Sequence, residues 1–204
     1  MHVTAKRPHL ASSWWGEAWG SNLERYADYS NRIDRGRRYV RADAVVDLHI
    51  DKGRVDAKVL GSRGEPYDVR IEITPLPGER AQELVSRCGR GAKDLDSLVR
   101  GEFPEELKDV FYGVGGLFPA PDEISFHCSC PDWASMCKHV AAALYGIGVR
   151  FDEDPTLFFK LRGLDPEVFV DAAIQDRLDS MLQNAGRPSE RIMDGSSWQD
   201  LFGL

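Results

Sequence analysis

The sequence predicts an α+β protein with an N-terminal helix, a small antiparallel β-meander, further short helices and a compact metal-binding segment. Three observations support this. Apolar residues recur every three or four positions over 14–29 and mostly alternate over 39–74, and three cysteines and a histidine crowd into 128–139. At 204 residues the chain is long enough for one large core or for two small ones.

The first predicted helix covers residues 14–29, where Ser12 or Ser13 can serve as the N-cap. Large apolar side chains recur along it at helical spacing: Trp15, Trp19, Leu23 and Tyr26. Such a stripe is typical of a helix that packs one face against a core. We therefore expect this tryptophan-rich helix to cover one face of the sheet that follows it.

From residue 39 the apolar period changes to two, and three β-rich segments follow in 39–50, 54–62 and 66–74. The turn Asp51-Lys52-Gly53 separates the first two, because glycine suits the tight loop of a hairpin. A second loop over 61–66 separates the last two. These segments predict a three-stranded meander, which with the helix forms a unit over 1–77.

Beyond residue 77 the sequence divides into three further regions. Residues 78–122 show short helical patterns punctuated by glycine and proline, and we interpret them as a helical connector. Residues 123–150 contain the metal-binding segment. Residues 151–204 form an acidic helical region, whose best helix spans 165–184 because Asp165 and Pro166 supply an N-cap and a first-turn proline.

The charge of the chain limits its partners. The net charge is −7, with 14 Lys and Arg against 12 Asp and Glu in residues 1–80, but 5 against 11 in residues 151–204. No overall field attracts phosphate, so any nucleic-acid contact must be local. Neither an apolar run of roughly 18 residues nor a secretory leader is present. We therefore expect a cytoplasmic protein with no membrane partner.

The metal-binding segment contains Cys128, Cys130, Cys137 and His139 within twelve positions. Three thiolates and an imidazole are a complete ligand set for a structural zinc ion, and clustered cysteines in a reducing compartment indicate metal rather than disulfides. We predict one structural Zn²⁺ per chain. A segment this short cannot bury a core alone, and a bound zinc ion can take the place of that core.

The spacing of these ligands also restricts the backbone. Residues two apart on a helix point about 200° away from each other. Cys137 and His139 therefore converge only if Cys137 lies at or just before the first turn of the helix that follows. His127 is a competing fourth ligand, but on a strand it points opposite to Cys128.

The Cys-x-Cys pair, six intervening residues and Cys-x-His resemble the SWIM zinc-finger family in its bacterial form. The N-terminal half adds further similarities: Trp14-Trp15 with Trp19, Arg35-Gly36-Arg37-x-Tyr39, the turn at Gly53, and Gly61-Ser62-Arg63 before Pro66-Tyr67. The resemblance spans roughly residues 12–147. It implies a ββα zinc module that binds DNA or protein, often alongside SWI/SNF-like ATPases.

One basic run stands out, and it has two interpretations. Residues 35–41 contain four arginines and a tyrosine, which suit phosphate contact and base stacking, but the same arginines can pair with local acids in a turn. Arg63 lies in a glycine-rich hairpin loop, and Lys138 lies between two ligands and points away from the metal. The candidate contact residues are Arg35, Arg37, Arg38, Arg41, Arg63 and Lys138.

The sequence favours a binding protein over an enzyme. Four protein ligands leave no open coordination position, and no phosphate-binding loop, dinucleotide fingerprint or nucleophile elbow occurs elsewhere. We expect no small-molecule substrate. Two readings remain open: contact with DNA or RNA through the zinc module and residues 35–41, or an adaptor or zinc-responsive regulator that docks on a protein or ribonucleoprotein. Cys88 is interpreted as a buried apolar residue.

Overall fold

The structure, a computed structural model, describes residues 1–4, 10–24, 30–62, 64–91, 108–112 and 115–165, and also 171, 174, 175, 178, 179 and 181–183. It confirms an α+β fold that combines helices with a four-stranded antiparallel sheet. In chain order the elements are α1 (Trp14–Glu24), α2 (Ser30–Arg41), β1 (Val45–Asp51), β2 (Arg54–Leu60), β3 (Pro66–Ile73), α3 (Gly78–Gly91), α4 (Lys108–Tyr112), β4 (Ile124–Cys128), α5 (Lys138–Glu153) and α6 (Thr156–Leu161).

The sheet has the order β1-β2-β3-β4, and every neighbouring pair is antiparallel. Its first three strands confirm the predicted meander. Asp51 pairs with Arg54, so the hairpin loop consists of Lys52 and Gly53. Gly53 has a φ of 67°, and a Cβ there would lie 2.9 Å from the Ile73 carbonyl oxygen. Only glycine fits this turn without strain.

The fourth strand carries the first metal ligand. β4 pairs with β3, with Cys128 opposite Val69 and Ile124 opposite Ile73. Residues 123–150 therefore contain one strand, β4, and most of the helix α5, and the strand that pairs with β4 is β3 of the N-terminal sheet rather than a second strand of the predicted ββα module. Residues 123–150 consequently share a sheet with the predicted unit 1–77, and a single buried cluster includes residues of both.

Helix α5 lies at the centre of the fold. Its sequence is apolar on all sides, which is typical of a buried helix, and twelve of its residues are buried. One side contacts all four strands and the other contacts α1 and α2. The prediction that the tryptophan-rich helix covers the sheet is therefore wrong. α5 covers the sheet because its small residues allow close approach, and α1 packs on the outer side of α5.

Two sets of contacts fix α1 against α5. Ser13 caps α1, since its hydroxyl accepts a hydrogen bond from the Gly16 N–H at 3.1 Å. The carboxylate of Asp152, near the end of α5, accepts hydrogen bonds from Ser12 and Ser13. Trp19 is fully buried, and its indole N–H donates to the Leu144 carbonyl at 2.9 Å.

The basic run lies on a helix rather than in the predicted turn and strand. α2 continues to Arg41, and β1 begins only at Val45. Asp43 has a φ of 52°, and the N–H groups of Asp43 and Ala44 donate to Val40 and Tyr39. This is the Schellman arrangement, which satisfies the last carbonyls of a helix. The backbone is therefore helical over residues 39–41, where the alternating pattern predicts a strand.

Several predictions fall outside the described residues. The helical connector is confirmed at α3 and α4, but residues 92–107 between them are not described. The predicted helix over 165–184 is described only in part, and its described residues from 171 onward are helical. Three further predicted features also lie outside the described residues: Tyr26, Arg63 and the side chain of Cys88. Within the described part of the chain, no helix has the length and apolarity that crossing a bilayer requires.

Gly36 lies where α2 crosses α5. A Cβ there would come within 2.6 Å of the Ala141 Cβ and 2.9 Å of the Ala141 carbonyl carbon. We therefore expect Gly36→Ala to lower the free energy of unfolding by about 1–3 kcal/mol, despite the higher helix propensity of alanine. Denaturant unfolding measures this. Gly78→Ala is the control, since a Cβ there has no neighbour within 4 Å. Equal midpoints for both variants would contradict close helix packing.

Candidate metal centre

Cys128 and Cys130 are placed by the end of the sheet. Along β4 the side chains of Ile124, Phe126 and Cys128 are half-buried, whereas Ser125 and His127 are exposed. His127 therefore points away from the metal cluster, as its position on a strand predicted. After Cys128 the chain is held against β3, because the Ser129 N–H donates to the Asp68 carbonyl at 2.9 Å and the Ser129 hydroxyl accepts from the Asp68 N–H at 3.0 Å.

Cys137 and His139 are placed by the start of α5. Cys137 is the N-cap residue, with an extended backbone, and its sulfur accepts a hydrogen bond from the Val140 N–H at 3.5 Å. His139 follows in the first turn, and both side chains are buried. This confirms the backbone position that the two-residue spacing required.

The four side chains converge on one point. Their ligand atoms all lie within 4.8 Å of one another. Nδ1 of His139 faces the sulfurs, at 3.8 Å from the Cys128 Sγ and 3.9 Å from the Cys137 Sγ. Because Nδ1 faces the sulfurs, it is the histidine nitrogen placed to bind a metal, while Nε2 is buried and has no hydrogen-bond partner among the described residues. Cys128, Cys130, Cys137 and His139 are therefore close enough to hold one metal ion.

Contacts within the cluster shift the pKa values of its three thiols in different directions. The hydrogen bond from the Cys128 thiol, with further bonds from His139 and the Val140 N–H, lowers the pKa of Cys137 to about 4. The same contact with Cys137 raises the pKa of Cys128, and burial raises that of Cys130. The lowered pKa favours the thiolate form of Cys137, which is the form that binds metal, and the other thiols release protons when a metal binds.

Two tyrosines from outside the motif enclose His139. The Tyr67 ring lies 4.6 Å from the imidazole, centroid to centroid, with 32° between the planes, and the Tyr39 ring meets it edge-on at 5.5 Å. A Cβ at Gly61 would lie 2.4 Å from the Tyr67 ring, so this glycine makes room for the tyrosine. The sequence motif did not identify these tyrosines as part of the site. Both tyrosines occur in the N-terminal motifs that resemble the SWIM family, but those motifs gave no reason to place them at the metal site.

The arginines of the predicted basic run point to different sides of α2. Arg35 and Arg38 are exposed, whereas Arg37 forms an ion pair with Glu24 and a weaker one with Asp34 at 3.4 Å. Arg41 is exposed and lines, together with Arg37, a cleft on the α1 side of α2. The run therefore does not form one continuous basic surface.

Two other basic residues complete the candidate set. Lys138 is half-buried, and its Nζ lies 6.0 Å from the centre of the Tyr39 ring. Arg63 lies outside the described residues. A contact absent from the predictions is the ion pair between Arg32 of α2 and Asp132, which lies between the two halves of the ligand set. No signal in the sequence relates these two residues, which are 100 positions apart.

Comparison with known proteins adds one relative. No protein-family model and no solved structure matches the chain. Over 169 residues the chain is 40% identical to the "Uncharacterized protein Rv2102" of Mycobacterium tuberculosis, covering 82% of this chain and 61% of that protein. The chain thus spans about three fifths of the length of this curated relative. Because the relative's name states no activity, the chemistry of the site must support any functional conclusion.

Proposed function

We propose that the chain is a non-enzymatic zinc protein of the SWIM type that contacts nucleic acid as part of a larger complex. The ligand set supports zinc, which binds thiolate at about 2.3 Å and imidazole at about 2.0–2.1 Å. A tetrahedron with these bond lengths has sulfur–nitrogen edges of about 3.5 Å. In the cluster, the distances from the His139 Nδ1 to the sulfurs of Cys128 and Cys137 are 3.8 and 3.9 Å, which exceed the tetrahedral value by only a few tenths of an ångström.

The ligand count supports a structural role. Cys128, Cys130, Cys137 and His139 would fill all four positions of a tetrahedral ion, and a catalytic zinc needs one position for water or substrate. When bound, the ion would fix the end of β4 to the start of α5. The protein's own residues then provide the binding surface around that joint.

One observation carries the nucleic-acid proposal: two exposed arginines, Arg35 and Arg38, lie on α2, the helix whose Tyr39 contacts His139. Neither forms an ion pair among the described residues, and α2 contacts the metal segment through Tyr39 and His139. Arginine forks bind phosphate oxygens in two-point contacts. Since the whole chain is acidic, a contact of this kind would be local and strongly dependent on salt.

A salt titration tests this proposal on the zinc-loaded full chain. For single- and double-stranded DNA and RNA, the logarithm of affinity should fall with that of salt by about 0.9 per phosphate contact on duplex and about 0.7 on single strands. Replacing Arg35 and Arg38 together with alanine should weaken binding to all sequences. It should also reduce the slope of log affinity against log salt by the amount expected for up to about two phosphate contacts.

The control is a double alanine variant of Arg54 and Arg70, which removes the same charge from the open face of the sheet. Both arginines pair there with Asp56. We expect this variant to change the slope much less. If no nucleic acid binds the zinc-loaded protein at about 50 mM salt and micromolar concentration, where non-specific contacts are visible, the nucleic-acid proposal is wrong.

A protein adaptor is the second candidate, and the described part of the C-terminal region favours it. Large apolar side chains are exposed there at helical spacing: Ile174, Leu178, Met181 and Leu182. A helix with such a stripe is suited to docking on a protein groove. The partner would be a protein or ribonucleoprotein, and a SWI/SNF-like ATPase is the class that the SWIM resemblance suggests. A failed nucleic-acid titration would favour this candidate.

A further inference from the structure

An exposed tryptophan lies between the two halves of the ligand set. Trp133 has 80% of its surface exposed, while Ala134 and Met136, in the same short segment between Cys130 and Cys137, are buried. Tryptophan is enriched at binding interfaces, because its large ring is apolar while its indole N–H can stay in contact with water or a polar partner. The neighbouring buried residues show that the segment had room in the fold to turn apolar groups inward.

The backbone that carries Trp133 is anchored on both sides. The carboxylate of Asp132 accepts a hydrogen bond from the Ala134 N–H at 3.3 Å and forms an ion pair with Arg32 of α2. The side chains of this ion pair are only 18% and 15% exposed. The indole is therefore presented by a fixed loop, which a metal ion on Cys130 and Cys137 would hold still more firmly.

Positive charge borders the same loop. Arg32 and Tyr39, seven positions apart on one side of α2, both contact the metal segment, through Asp132 and His139. Arg35 lies between them at helical spacing, so it shares this side of the helix and is exposed. The Nζ of Lys138 lies over the Tyr39 ring, 6.0 Å from its centre, and Arg38 lies one turn beyond Arg35 on α2. Arg35 and Lys138 therefore lie on the two helices that adjoin the loop of the exposed indole, α2 and α5.

We propose that Trp133, Arg35 and Lys138 form a binding strip for single-stranded nucleic acid, in which the indole stacks on an unpaired base and the cations contact the flanking phosphates. The inference rests on the proposed function and names its substrate class. A duplex keeps both faces of its bases stacked and cannot offer one to a side chain, whereas a single strand can. Flat aromatic groups interleaved with positive charge are the usual means of binding single strands.

The test compares Trp133→Ala with wild type in the zinc-loaded full chain, using a labelled 15-nucleotide oligo-dT, oligo-U and a 15-base-pair duplex. We expect Trp133→Ala to weaken single-strand binding roughly 5- to 150-fold, the range for one base–aromatic stack. The salt slope should not change, because the indole carries no charge. Duplex binding should also be unchanged, and Trp133→Phe should restore most of the single-strand affinity.

Two outcomes separate this inference from the proposed function. If the protein binds nucleic acid with the expected salt dependence but Trp133→Ala has no effect, or weakens duplex and single strands equally, the stacking strip is wrong and the proposed function stands. If neither single strand nor duplex binds wild type, both are wrong, and Trp133 belongs to a protein contact. Zinc content near one ion per chain in Trp133→Ala shows that the metal centre is intact in the variant.

Discussion

Replacing Cys137 with serine is expected to reduce the zinc content of the purified protein from one ion per chain to nearly none. Cys137 is the buried side chain that caps α5, and its pKa is lowered, so its loss removes both a candidate ligand and the N-cap. A bound metal stabilises the folded state in proportion to the logarithm of its concentration over its Kd, about 4 kcal/mol at a thousandfold ratio. The free energy of unfolding should fall by an amount of this order.

Elemental analysis and thermal unfolding measure these two effects. Cys88→Ser is the matched control, because Cys88 belongs to α3 and not to the motif, and it should retain its zinc. A zinc content near zero in wild-type protein prepared without chelators would contradict the metal site itself. The same would follow if Cys130→Ser and Cys137→Ser kept a full equivalent of zinc.

Proteolysis of the metal-free protein tests the division of the chain into units. The division made from the sequence predicts first cleavages within 113–147. Because α5 covers the sheet, we expect them within the part of that stretch that precedes α5, residues 113–137, with the N-terminal helix and sheet surviving, since the apolar contacts of α5 with the sheet do not involve the metal. One cooperative transition for the whole chain would show that 1–77 and 123–150 are a single folding unit. The four-part division remains a prediction until this is measured.

Trp19→Ala is expected to lower the free energy of unfolding by about 3–5 kcal/mol, the range for truncating a buried aromatic residue to alanine. Trp19 is fully buried, and its indole N–H donates a hydrogen bond to the Leu144 carbonyl. The centre of its ring lies 5.2–6.2 Å from the ring centres of three phenylalanines, Phe118, Phe151 and Phe158. The substitution leaves both a cavity and a buried carbonyl without its donor, so the effect should lie toward the upper end.

The molecule provides its own control for this measurement. Trp133→Ala makes the same chemical change at a side chain that is 80% exposed, and should alter stability by no more than about 0.5 kcal/mol. Trp19→Phe should fall between the two, since it keeps most of the ring volume but loses the hydrogen bond to Leu144. Similar losses for Trp19→Ala and Trp133→Ala would contradict the described burial of Trp19.

The parts of the fold that the sequence predicted are those with a local cause. Alternating apolar residues predicted β1, β2 and β3, and the Lys52-Gly53 turn fixed the pairing of the first two. The choice of α5 rather than α1 to cover the sheet depends on packing between α5 and strands β1 to β3, which lie more than 60 residues before it in the chain. The end of α2 depends on Asp43 in a left-handed conformation, which glycine or asparagine would have signalled more clearly.

The same distinction holds for the site. The ligands were predictable because strand alternation and the N-cap position fix them within twelve residues. Tyr39, Tyr67 and the Arg32–Asp132 ion pair were not, because the tertiary fold alone brings them to the cluster. The basic run shows that closeness in sequence does not guarantee a shared surface. Its four arginines face different sides of α2, and Arg37 forms an ion pair with Glu24.

The central position of α5 also determines when the chain can fold during synthesis. The apolar faces of β1, β2 and β3 are complete once residue 73 has been made, but the helix that covers them ends at Glu153. At 5–20 residues per second, translation of the intervening segment takes about 4–16 seconds. During that interval the nascent sheet exposes a row of valine and isoleucine side chains, the kind of surface that general chaperones bind. Truncated chains that end before α5 should therefore aggregate.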